Sequence, residues 1–164
     1  MYHIKYILIM DYYNTLIGVL LLIVSLSPIV WLSKMSNKNG KKLTLGLAAM
    51  ATPIHATIVE KDILLDMAIG LDAHDKILFF IKNNEQRTID LELYRKCEFY
   101  DTYINTKQGS KRIATINSLG LKLYAKAEGE PPLLLEFFNL NEKIQPNGEF
   151  DLAKKWSKLI TEKL

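Results

Sequence analysis

The sequence has a single cysteine, Cys97. No disulfide can form within the chain, and nothing in its cysteine usage points to an oxidising compartment. It also lacks the short motifs that commit a chain to a reaction: there is no phosphate-cradling G-x-x-x-x-G-K-[ST] loop, no G-x-G-x-x-G and no H-E-x-x-H. Charge of one sign is scarce. The 21 Lys and Arg outnumber the 18 Asp and Glu only slightly, for a net charge of +3, whereas a nucleic-acid binder carries a dense basic face. The three histidines, His3, His55 and His74, are scattered. These absences set the expectation of a protein that is not an enzyme, holds no metal or cofactor and has no nucleic-acid partner. The 164 residues are enough for one domain and a tail.

What the chain does have is a long hydrophobic run. No charged residue occurs from Tyr12 to Ser33, and Leu16 to Val24 is almost wholly aliphatic. An α-helix needs roughly 20 such residues to cross about 30 Å of hydrocarbon. Tyr12, Tyr13 and Trp31 stand where interfacial aromatic belts form, and Pro28 is tolerated in membrane helices. The run therefore predicts a transmembrane helix over 12–33, after an N-terminal extension 1–11 in which Met10 is an alternative start. Ser25-Leu26-Ser27 is the one candidate for signal cleavage, but Pro28 follows it and the apolar run continues past it.

Lys34, Lys38, Lys41 and Lys42 come next, and no acid appears until Glu60. The positive-inside rule puts the C-terminal side in the cytoplasm. The same four lysines are candidate contacts for anionic lipid headgroups, against the plainer reading of a solvated topology signal. Residues 34–53 read as a basic juxtamembrane segment and a short amphipathic helix, with Leu43, Leu47, Met50 and Ile54 at helical spacing. The stretch Leu43 to Val59 is also uncharged, and a second crossing there, which would reverse the location of everything after it, is the alternative.

From residue 54 to 164 the period shortens to two. Thr57–Glu60, Leu65–Ile69, the apolar run Ile77–Ile81 and the alternating Thr88–Leu93 read as strands. So do the segments holding Cys97, Phe99 and Tyr103, then Leu119 to Ala125, then Leu133 to Phe138. Asn147-Gly148 precedes a helix with Glu149 and Asp151 at its start and Lys158 and Lys163 toward its end. Leu152, Trp156, Leu159 and Ile160 form its apolar stripe, and Trp156 is its structural anchor.

Candidate chemistry is thin. Asp72-x-His74-Asp75 has the residue types of a divalent-metal site, but three or four ligands must converge, and a polar turn between strands is the plainer reading. Cys97 sits on an apolar face with Phe99 and reads as an inert thiol. Asp90 and Glu92 share one side of a strand and read as a solvated face. Lys107, Lys111 and Arg112 make a modest basic loop.

The element order is thus α+β: a membrane helix, a short helix, about seven antiparallel strands and a closing amphipathic helix. With Ala68-Ile69-Gly70-Leu71-Asp72, Lys76 to Phe80 and Glu149 to Ile160, this outline resembles uncharacterised bacterial single-pass membrane proteins with a pleckstrin-homology-like domain over 54–164. The resemblance implies a small antiparallel barrel and a binding or scaffolding role. Phosphoinositide-binding members need basic residues beside the first hairpin, and here that hairpin offers Lys61 followed by Asp62. The expectation is a non-catalytic interaction module at the cytoplasmic face of a bacterial inner membrane, held in the bilayer by 12–33 and engaging a protein partner. The alternatives are an anionic-lipid-binding domain using Lys34 to Lys42, and an enzyme with an unrecognised site near His74.

Overall fold

The computed structural model describes the backbone of residues 2–74, 76–108 and 111–164, and the side chains of these residues apart from 2–15, 29–37, 106–108 and 111–113. By its contacts the chain divides into two compact units, residues 1–39 and 40–164.

Helix α1 (Tyr2–Ala51) is continuous and contains Pro28. This corrects the expected separation of a membrane helix from a short helix. Between Ser33 and Leu43, Lys34, Met35, Lys38, Lys41 and Lys42 are good helix formers, Ser36, Asn37, Asn39 and Gly40 are weak ones, and no proline forces a break. The helix ends in a single 3-10 turn, Thr52–Ile54, where Pro53 stops it and His55 takes a left-handed conformation (φ 54°).

The expected transmembrane helix over 12–33 is corrected as well. Among the described residues, no helix is long and apolar enough to cross a membrane. The side chains of 12–15 and 29–33 lie outside those described. The single-pass inner-membrane location and the cytoplasmic orientation drawn from that helix lose their basis with it. The alternative crossing at 43–59 is replaced by packing: Leu47 and Ala51 are buried against Ala68, Phe79 and Ile81, with Leu43 and Met50 beside them.

In the second unit, β1 (Ile58–Ile63), β2 (Met67–Asp72), β3 (Ile77–Lys82) and β4 (Glu85–Asp90) form an antiparallel sheet in sequence order. β5 (Tyr94–Gln108), β6 (Lys111–Ala125) and β7 (Leu133–Asn139) form a second one. The apolar run of β3 is covered on both faces, as such runs must be. Leu78 and Phe80 enter the main core with Ile69, Leu121, Phe137 and Trp156, while Phe79 and Ile81 meet the last turns of α1. The β3–β4 turn places Asn83 and Asn84 at φ 50° and 70°, the left-handed pair that a tight hairpin needs.

The expected closed barrel is corrected to two separate sheets. The stretch read as one strand, Thr88–Leu93, splits at Asp90. The Asp90 carboxylate accepts the Glu92 backbone N–H at 2.9 Å and starts a 3-10 turn, Leu91–Leu93, that carries the chain from the first sheet into the second. β4 and β7 remain terminal strands of their own sheets. Helix α2 (Glu149–Thr161) packs on β5, β6 and β7 and buries Ala153, Trp156 and Ile160. Full burial of large side chains such as Trp156 and Ile160 contributes roughly 1.5–3 kcal/mol each.

Candidate functional site

The inner face of the first sheet changes character toward the β3–β4 turn. Ladder register pairs Leu78 with Ile89, Phe80 with Arg87 and Lys82 with Glu85. One face therefore runs from aliphatic to charged over three successive pairs. Beside its charged end lies β7, and the two enclose a cleft of about 190 Å³ lined by Phe80, Lys82, Asn83, Glu85, Arg87, Leu134, Glu136 and Glu142.

Lys82 is the buried charge of this cleft, with its side chain 8% exposed. Its ammonium lies 2.9 Å from Glu142 and 3.5 Å from Glu136. A lysine so placed needs such partners, because an unpaired buried cation is costly. The Lys82 hydrogen bond in turn holds the Glu142 carboxyl below its ordinary pKa. Glu136 is steadied from behind by the Asn139 amide, 3.1 Å from each carboxylate oxygen. Beside it, burial first and then the Glu136 charge push the Tyr100 hydroxyl up to about 12. Across the cleft, Arg87 donates through Nη1 to the Leu134 carbonyl at 3.3 Å and through Nη2 to the Glu85 carboxylate at 3.3 Å. The cleft thus has Phe80 as its apolar floor, backed by buried Phe137 in the core behind it (ring centroids 5.6 Å apart), and a rim of mutually paired charges.

A second ionic cluster has a structural task. Lys143 donates to Asp66 at 2.6 Å and to Glu149 at 2.7 Å, and Glu149 also accepts the Asn147 N–H. The Glu149 side chain is 1% exposed. Burial alone raises the pKa of such a carboxyl. The Lys143 ammonium and the backbone N–H groups at the helix start outweigh it, and the Glu149 pKa lies below the ordinary value. The cluster ties the β1–β2 turn, the loop after β7 and the first turn of α2 together.

No protein-family model matches this chain, and no curated protein and no solved structure does either.

The residues singled out from sequence fall mostly elsewhere. Lys38, Lys41 and Lys42 lie on α1 and are exposed, and Lys42 donates to the Asn84 side chain at 3.1 Å. The side chain of Lys34 lies outside those described, as do those of Lys107, Lys111 and Arg112. Trp156 is fully buried, and its indole N–H donates to Asp62 at 2.8 Å. The Asp72 carboxylate accepts the backbone N–H groups of Thr57 (2.5 Å) and His74 (3.0 Å). It therefore orders the turn, and the His74 side chain is exposed. Asp75 lies outside the described residues, and among those described no three potential ligands gather to hold a metal ion. His55 caps the end of α1. Cys97 is buried, and burial pushes its thiol up to about 12. Asp90 starts the 3-10 turn.

The cleft itself escaped the sequence reading. Its one signal is parity: Lys82 follows Leu78 and Phe80 on the same side of the strand, so an inward lysine was written into the apolar run.

Proposed function

We propose that residues 40–164 act as a non-catalytic interaction module whose contact surface is the cleft between β4 and β7. One observation carries this reading. Terminal strands of two different sheets face the same cleft, and what spans it is side chains: Arg87 to Leu134 and Lys82 to Glu136 and Glu142. Strand edges are surfaces that pair readily with another chain. The charges that line the cleft are engaged with one another, which suits recognition by exchange of partners more than activation of a substrate.

Selection of ligands on the immobilised full-length protein, from mixed libraries of displayed peptides and small folded domains, tests it. Bound ligands are mapped by amide hydrogen exchange. The expected result is protection of Lys82 to Arg87 and Leu133 to Glu136. Ligands that consistently map to other surfaces, or small-molecule turnover at the cleft with no macromolecular ligand, would overturn the reading.

A further inference from the structure

We infer that the occupant of the β4–β7 cleft is an extended peptide strand carrying a lysine or arginine, which takes over both contacts that Arg87 now makes. This rests on the interaction-module reading and names its partner class.

Arg87 does two jobs. One guanidinium nitrogen supplies an N–H to the Leu134 carbonyl of terminal strand β7, where a neighbouring strand would supply a backbone N–H. The other supplies positive charge to Glu85. Both contacts are 3.3 Å long, at the weak end for charged hydrogen bonds, and the Arg87 side chain is 43% exposed. An exposed pair of this kind is held loosely. Arg87 therefore stands in for a strand and can be displaced by one. A strand of any composition replaces the N–H at Leu134, but only a cationic side chain replaces the charge at Glu85.

The rest of the rim favours the same partner. Glu85, Glu136 and Glu142 are 74%, 35% and 40% exposed, whereas Lys82 is buried beneath them and already engaged twice. Apart from Arg87, the lining charge that a ligand can reach is negative. The Leu134 side chain, 46% exposed at the same edge, offers an apolar contact to a flanking residue. At about 190 Å³ the cleft is smaller than the roughly 300–1,000 Å³ of pockets that engulf a small ligand, so contact along an edge suits it better.

Three short acetylated and amidated peptides test this on the full-length protein: alternating valine and lysine, alternating valine and glutamate, and the valine–lysine sequence with N-methylated backbone. Affinity is read by fluorescence polarisation, and seating by hydrogen exchange of Leu133 to Glu136. The valine–lysine peptide is expected to bind there, with each of the others at least about tenfold weaker. Arg87→Ala is expected to tighten its binding severalfold by removing the competitor, and Glu85→Gln to weaken it severalfold. Thermal melts of both variants verify that these exposed substitutions leave the fold intact. Equal binding by the glutamate or N-methylated peptide, weaker binding by Arg87→Ala, or no valine–lysine peptide at the cleft would each overturn the inference. If other selected ligands still protect the cleft, the module reading stands without it. If no ligand protects the cleft, both fall.

Discussion

The Trp156 indole Nε1 donates to Asp62 Oδ2 at 2.8 Å, and Lys155 reaches the same oxygen at 2.7 Å. A fully buried side chain of the terminal helix is thereby bonded to the first strand, across 94 residues of sequence. The helix packs on the second sheet and is hydrogen-bonded to the first, so it joins both ends of the domain.

Removing that tie has a predictable cost. Trp156→Ala should destabilise the domain by about 3–5 kcal/mol through the cavity it leaves. Trp156→Phe should cost less, about 1–3 kcal/mol, from the smaller cavity together with the lost indole hydrogen bond, since Asp62 keeps Lys155. Asp62→Asn should fall at or below the lower figure, because an isosteric amide keeps the place and its oxygen can still accept the indole N–H. Urea unfolding followed by far-ultraviolet circular dichroism measures all three.

Stability should fall in acid through Glu149. Its folded pKa lies below its ordinary value, so the stabilisation is present above the unfolded value and is lost as pH falls through the folded one. Glu149→Gln should destabilise the protein at neutral pH by roughly 2–3 kcal/mol, since Lys143 keeps Asp66 but loses its buried partner. The difference between the two proteins should shrink as acid protonates Glu149 in the parent. Melting temperatures across an acid-to-neutral series test this, and a constant difference at every pH would contradict it.

Gly120 admits no side chain. A Cβ there would lie 2.0 Å from the Leu135 carbonyl oxygen, on the neighbouring strand of the same sheet and beside a break in register. Backbone, unlike a flexible side chain, cannot swing aside. Gly120→Ala should therefore cost at least about 3 kcal/mol, the upper end for overpacking, measurable as a shift in urea midpoint.

Cys97 should be unreactive while the protein is folded. Burial raises its thiol to about 12, so thiolate is nearly absent at neutral pH. Ellman's reagent should label it at a rate that follows unfolding and rises with urea. Rapid labelling of native protein would show the thiol to be accessible.

Several elements can be read directly from their residues. The run Ile77–Ile81 predicts a strand covered on both faces, and β3 is covered by the main core on one side and by α1 on the other. The stripe Leu152, Trp156, Leu159 and Ile160 predicts the buried side of α2. Trp156 and Ile160 are fully buried there, with Ala153 one turn earlier on the same side. Such signals are local, because side-chain direction repeats with the period of the backbone.

Where those elements end and how they meet was not local. Asp90 reads as part of a solvated strand face, whereas its carboxylate holds the Glu92 N–H and turns the chain into a new sheet. The lysines after Ser33 suggest a boundary, yet α1 runs through them, and among the described residues no helix is long and apolar enough to cross a membrane. The cleft depended on tertiary structure most of all. Lys82, Arg87, Leu134, Glu136 and Glu142 come from different strands and a loop, and apart from Lys82, whose parity turns it inward, each alone resembles an ordinary surface residue.

By itself, then, the sequence determined periodicity, turn chemistry, the inward parity of Lys82 and the lack of familiar catalytic motifs. Tertiary structure decided that the sheets stay separate, which strand edges face each other, and which charges neutralise which. The physical reason is range. Periodicity and turns are set by neighbouring residues, whereas ion pairs and strand edges are set by contacts such as Arg87 with Leu134, 47 residues apart, which exist only once the chain has folded.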